Sequence, residues 1–207
     1  MVFRDTSLQC HEAVESLIAD PEQPHAVLLG RSCVISMVTA IEVYFKDVLD
    51  GIFRICDPTF FEPLLKKLHS RKYDISDLVD FYRHKIHPLE LIAANQSFQS
   101  AEAIDAVFSN FVGRSLWSEL RELRFRFTDD ESKVEHSFDA QLLTDLKNLF
   151  ALRHELVHDP AMHAPIDSNT KTLVVCSAYL IFGVDIILMN MIAENEGSPP
   201  RQPKPAG

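Results

Sequence analysis

Glycine is scarce in this chain, six in 207 residues, and nowhere do apolar and polar residues alternate for long enough to seed a sheet. These two shortages exclude an extended β architecture and leave helices to carry the fold, so the class is all-α. Cysteine pairs at metal or redox spacing are missing too. Cys10, Cys33, Cys56 and Cys176 are scattered with no CxxC, and no apolar leader with a small-residue cleavage site follows the start MVFRDTSLQC. Both features give the expectation of a reduced, soluble, cytoplasmic chain. Positive charge is also short: 20 Lys and Arg against 30 Asp and Glu leave a net charge of -10. Such a chain repels polyanions at long range, which argues against a general nucleic-acid clamp. Any contact with nucleic acid must come from a local basic patch or from catalytic residues in a groove.

What is present is the composition of an ordinary globular protein, 46% hydrophobic and 24% charged, long enough for one domain with a sizeable core. We read one helical domain over residues 1–195 with an insertion at about 57–138, and a proline-rich tail over 196–207, GSPPRQPKPAG from Gly197, that cannot pack a core and is expected to be disordered. Proline sets the helix boundaries. A first helix is predicted from about Thr6 to Ala19, ending at Asp20-Pro21, because proline disfavours helical geometry in the residue before it. A second runs from near His25 or Arg31 to Ile55 and stops at Asp57-Pro58. Along it Val34, Val38, Ile41, Phe45, Val48 and Ile52 recur at steps of four and three, an apolar seam with Glu42 beside it. A third is predicted from about Asp139 to His158, striped by Leu142, Leu146, Leu149 and Leu156 and ended by Pro160. The fourth runs from about Asn169 to Glu194.

Within that fourth helix, Leu173 to Ile192 is apolar for about 20 residues, the length that crosses a bilayer. Asp185 lies near its middle, at a cost of roughly 2.5 to 3.5 kcal/mol on insertion scales, and Asn190 follows. A helix apolar all round is what the centre of a bundle requires, so we expect burial in protein and no membrane. The insertion is predicted to hold shorter helical pieces broken at Pro63, Pro88 and the polar NQSFQS stretch. One piece, SLWSELRELRFRF from Ser115, reads as an amphipathic helix with Arg121, Arg124 and Arg126 as the best local basic cluster. Glu119 and Glu122 are the expected partners of these arginines on a solvated face.

The chemistry concentrates at RHELVH, residues 153–158. At 100° per residue Arg153 falls on the apolar stripe between Leu149 and Leu156, where the period asks for another leucine. A buried arginine needs an anionic partner, and Glu42 beside the seam of the second helix is the natural candidate, with an i,i+4 pair to Lys46 as the plainer role for that glutamate. His154 and His158 lie one turn apart on an adjacent face and can line one cleft. A histidine so placed is a usable acid or base, although surface and capping histidines have the same look.

Two chemistries fit these six letters. HELVH matches H-E-x-x-H, in which two histidines one turn apart hold zinc and the glutamate serves as base. Against a zinc hydrolase, His163 does not fit the spacing of a third ligand, Ala161 stands where the longer motif has glycine, and Pro160 ends the helix directly after the second histidine. The other reading is R-x4-H, Arg153 to His158. Alone it is weak, since Arg4 and His11 supply a decoy. Its placement carries the information: it closes a long helix, follows a helix with an intruding glutamate, and precedes an apolar terminal helix.

That combination resembles the HEPN superfamily, four-helix up-and-down bundles in which an Arg and a His near the end of the third core helix form a ribonuclease site. RSCVISMVTAIEVYFKDVL at Arg31 to Leu49 is similar to the second core helix of the branch called RiboL-PSP. NQSFQSAEAIDAVF with SLWSEL looks like that branch's inserted segment, and RHELVHDPAMHAPID resembles its motif helix and following loop. Together these matches touch about half the chain. The resemblance implies a metal-independent endoribonuclease with no cofactor, in which His158 moves protons and Arg153 steadies charge developing on the phosphate. His154 would position substrate or base, and Glu42 would orient Arg153. It further implies RNA as substrate, a homodimer with both motifs facing one groove, and a role as a toxin or antiviral effector held by an inhibitory partner protein. A bundle that keeps the motif but serves as a non-catalytic binding or regulatory module is the alternative.

Overall fold

The computed structural model describes residues 2–22, 25–68, 87–125, 135–158 and 167–197, with isolated positions between 69 and 86. Four long helices form the body: α1 (Val2–Ala19), α2 (Ala26–Ile55), α7 (Ala140–His158) and α8 (Ser168–Glu194). Between α2 and α7 the chain inserts α3 (Pro58–Leu68), α4 (Pro88–Asn95), α5 (Ala101–Val112), α6 (Leu116–Glu122) and a two-stranded hairpin of β1 (Arg124–Phe125) and β2 (His136–Ser137).

The boundaries follow local chemistry. Asp57 opens α3 by accepting from the Thr59 N–H at 2.8 Å, and Asp139 opens α7 by accepting from the Gln141 N–H at 2.8 Å. Asp167 caps α8 through the Thr170 N–H at 2.9 Å. In each case a carboxylate satisfies an amide that the first helical turn leaves unpaired. The predicted ends at Ala19, Ile55, His158 and Glu194 agree with the structure. The first helix begins earlier than expected, at Val2 rather than Thr6. Pro88 starts a helix, as proline does in a first turn, but Pro63 lies inside α3 and does not break it. Its ring is exposed, where water can meet the carbonyl that loses its amide partner.

The four long helices pack in a closed ring, α1 on α2, α2 on α7, α7 on α8 and α8 on α1, with α2 and α8 also meeting. This is an all-α bundle. The seam predicted on α2 is its core face: Val34, Val38, Ile41, Phe45, Val48 and Ile52 are buried. On α7, Leu146, Leu149 and Leu156 have no exposed surface. By length and composition both α2 and α8 could cross a membrane. In the fold half of the apolar window of α8 is buried against protein, and the Tyr44 hydroxyl of α2 donates to the Asp185 carboxylate at 2.7 Å.

The insertion shares this core through Phe61, Ile92, Phe98, Phe108, Trp117 and Leu120. Asp105 caps α6 by accepting from the Leu116 N–H at 2.7 Å, and the Trp117 indole donates to the Ala101 carbonyl at 3.0 Å. Gly183 on α8 admits the aromatic end of the insertion: a Cβ there would sit 2.3 Å from Phe138 Cζ and 2.6 Å from Leu120 Cδ1. The amphipathic helix expected from Ser115 is shorter than predicted. It stops at Glu122, and Arg124 and Phe125 pair as a strand with Ser137 and His136. The alternation RFRF is a strand period, and Phe125 stacks on Phe138 at 5.3 Å between ring centres, so tertiary packing overrides the helical pattern. Among the described residues Glu119 and Glu122 pair with neither Arg121 nor Arg124; both engage Arg114. Arg124 donates instead to the Arg121 carbonyl at 2.8 Å. Arg126, Asp159, Pro160, Ala161, His163 and the tail residues 198–207 lie outside the described residues.

Candidate active site

The last turns of α7 carry Arg153, His154 and His158. Leu149 and Leu156 are fully buried, so the residues that the helical period places beside this stripe must come to the surface at its edge. His154 and His158 are exposed, one turn apart, with ring centres 4.4 Å from each other and planes inclined at 49°. The predicted common face for the two histidines is therefore present. Glu155 is also exposed. Among the described residues no group of three His, Cys, Asp or Glu side chains is arranged to hold a metal ion.

Arg153 is half-buried. Its Nε stays buried while one amino group of the guanidinium reaches Gln99. The expected direct contact with Glu42 is replaced by a relay. Gln99 stands between them, its Nε2 donating to Glu42 Oε2 at 2.8 Å and its Oε1 accepting from Arg153 at 3.3 Å. Glu42 also holds Lys46 at 3.1 Å, so the i,i+4 pair and a contact toward Arg153 coexist on one carboxylate. A neutral amide can do this because it carries a donor and an acceptor at opposite ends. The negative charge of Glu42 thus reaches Arg153 only at second hand.

Gln99 was not singled out by the sequence, although the NQSFQS stretch that holds it was. Its neighbour Phe98 is fully buried and packs on Phe45 and Phe108 with ring centres 5.7 and 5.6 Å away. Phe45 lies three residues after Glu42 on α2. The same aromatic anchor therefore fixes the non-helical link between α4 and α5 and sets Gln99 over Glu42. A phenylalanine inside a polar run is the sequence signal that could have found this placement. Arg31 is the other residue that sequence reasoning passed over. It donates to the Leu156 carbonyl at 2.7 Å, satisfying a carbonyl in the last turn of α7 that the helix itself leaves open.

One donor at the site is unmet. The buried Nε–H of Arg153 has no hydrogen-bond partner among the described residues. Buried donors are nearly always paired, so this orphan leaves the guanidinium incompletely satisfied by the fold. The arrangement offers one cationic fork, steadied from behind, and two imidazoles on the solvent side. These groups can bind a phosphate and move a proton at an adjacent oxygen.

The sequence model of the family described as RiboL-PSP-HEPN matches residues 6–188, a span that contains all four long helices but for the ends of α1 and α8, and every residue of the site. No curated protein and no solved structure matches the chain significantly.

Proposed function

The chain belongs to the RiboL-PSP-HEPN family, and on that premise we propose that it is a metal-independent endoribonuclease acting as a homodimer. The observation that carries this reading is the grouping of Arg153, His154 and His158 on the exposed end of α7, with Arg153 braced through Gln99 and Glu42. Cleavage proceeds by attack of a ribose 2′-hydroxyl on the adjacent phosphorus. The attacking oxygen gives up its proton, the bond from phosphorus to the 5′-oxygen breaks, and that oxygen takes a proton. His158 moves protons, His154 positions substrate or base, and Arg153 meets the charge that develops on the phosphate oxygens. The products are a 2′,3′-cyclic phosphate and a 5′-hydroxyl end.

In an acidic protein a single site of this kind attracts RNA weakly at long range. Two copies facing one groove would concentrate the positive potential of six such side chains, which is the physical argument for a homodimer. The setting that fits is a cytoplasmic toxin or antiviral effector restrained by an inhibitory partner protein.

The test is cleavage of a single-stranded RNA by purified protein in EDTA, with the product ends identified. Cyclic phosphate ends that disappear in a folded His158→Ala variant support the proposal. Binding of RNA without cleavage would replace it with a non-catalytic binding module. Activity that chelation abolishes, with stoichiometric zinc in the preparation, would transfer the chemistry to the H-E-x-x-H reading.

A further inference from the structure

Two of the four cysteines, Cys10 and Cys33, meet across the interface between α1 and α2. Cys10 on α1 is buried, at 5% exposure, and its thiol donates to the Cys33 carbonyl on α2, with Sγ 3.4 Å from the oxygen. Cys33 is only partly buried. The neighbouring Cys10 thiol brings the Cys33 thiol down to about 7 despite the opposing effect of burial. Cys10 is correspondingly pushed up, by its neighbour Cys33 and by burial. The remaining two thiols lack such company. Burial raises Cys56, and Cys176 is raised by burial and by its bond to the Asp145 carboxylate.

We propose that Cys10 and Cys33 are a reversible thiol–disulfide site, oxidised by a peroxide, that staples α1 to α2. The accessible member reacts first. The Cys33 thiolate attacks one peroxide oxygen, the O–O bond breaks, and the departing hydroxide is protonated to water, leaving a sulfenic acid on Cys33. The Cys10 sulfur then attacks the Cys33 sulfur, the S–O bond breaks, and the Cys10 proton leaves with the hydroxyl as a second water. Two thiols have lost two electrons and one peroxide has become two waters. The cysteines are 23 positions apart in sequence, so the bond closes a loop containing the whole turn from α1 into α2. Arg31, two residues before Cys33, clamps the Leu156 carbonyl. The staple therefore fastens the segment that holds the last turn of α7, while its formation does not depend on what α7 does.

The experiment treats the full-length reduced protein with a small excess of hydrogen peroxide, then counts thiols in denaturant and maps the linked peptides by mass spectrometry. The expected result is a fall from four free thiols to two, a Cys10–Cys33 peptide link within one chain, and full recovery in dithiothreitol. Closing a loop of this length should raise Tm by roughly 5 to 10 °C. In Cys10→Ser the link is lost and Cys33 is trapped by dimedone as sulfenic acid. Four surviving thiols, a link through Cys56 or Cys176, or accumulation of sulfinic acid on Cys33 in the unsubstituted protein would each overturn the proposal. The peptide map of the unsubstituted protein decides the matter even where a serine variant folds poorly.

Discussion

Arg153 beside the leucine stripe of α7 and Asp185 on the apolar helix α8 each set a charge next to hydrophobic residues, and their surroundings treat them differently. The Asp185 carboxylate receives the Tyr44 hydroxyl at 2.7 Å. Burial, helped by the negative charge of Asp185, pushes the Tyr44 phenol well above its ordinary range, so the hydroxyl remains a donor. Among the described residues Arg153 has one long bond, to Gln99 at 3.3 Å, and a buried Nε–H with no acceptor. A matched polar pair in a helix interface fixes how the helices meet. In the proposed function, the cation that is held in place but incompletely matched is the one that meets the RNA phosphate.

Several substitutions press on this contrast. The largest effect is expected from Phe98→Ala. Removing a ring packed between Phe45 and Phe108 should cost about 3 to 5 kcal/mol in urea unfolding, and RNA cleavage should fall as well because Gln99 loses its anchor. A stability loss with unchanged cleavage per folded molecule would mean that the insertion does not position the site. Tyr44→Phe acts on the other side of the comparison. It leaves Asp185 without its donor and should cost about 1 to 3 kcal/mol while cleavage by the folded fraction stays as it was. Gln99→Leu should move stability by no more than about 0.5 kcal/mol yet lower cleavage roughly tenfold to a hundredfold, since Arg153 then loses its brace. Equal activity would show the relay to be idle.

The smallest effect comes from Lys147, which pairs with Glu102 at 2.6 Å across α7 and α5. The bond from Lys147 holds the Glu102 carboxyl below the usual carboxylate range. A depressed folded value stabilises above the unfolded pKa and is lost as pH falls through the folded one. Lys147→Ala should therefore cost at most about 1 kcal/mol at neutral pH, in keeping with an exposed pair, and nothing at pH 2. A difference between variant and parent that persists in acid would assign the loss to packing.

The long helices were legible because their ends are written locally: Asp-Pro steps, capping carboxylates and apolar steps of three and four each act within a few residues. The stripe on α7 was legible for the same reason, and with it the intrusion of Arg153 and the common face of His154 and His158. What lay beyond reach depends on contacts distant in sequence. Gln99 meets Arg153 across 54 positions, and only the burial of Phe98 brings it there. The direct Glu42 contact was a reasonable inference from charge alone, but a long-range amide took that place. The RFRF stretch misled because its helical and strand periods are both present, and stacking of Phe125 on Phe138 decides between them.

The contrast between the two charges rests most directly on Arg153→Met, with unfolding free energy and RNA cleavage measured on the same preparation. A hydrophobe of similar length on the Leu149 to Leu156 stripe should leave stability within about 1 kcal/mol or raise it, while cleavage falls about 100- to 1,000-fold. A loss of about 3 to 5 kcal/mol, with cleavage per folded molecule intact, would make Arg153 a structural charge like Asp185 and contradict the account.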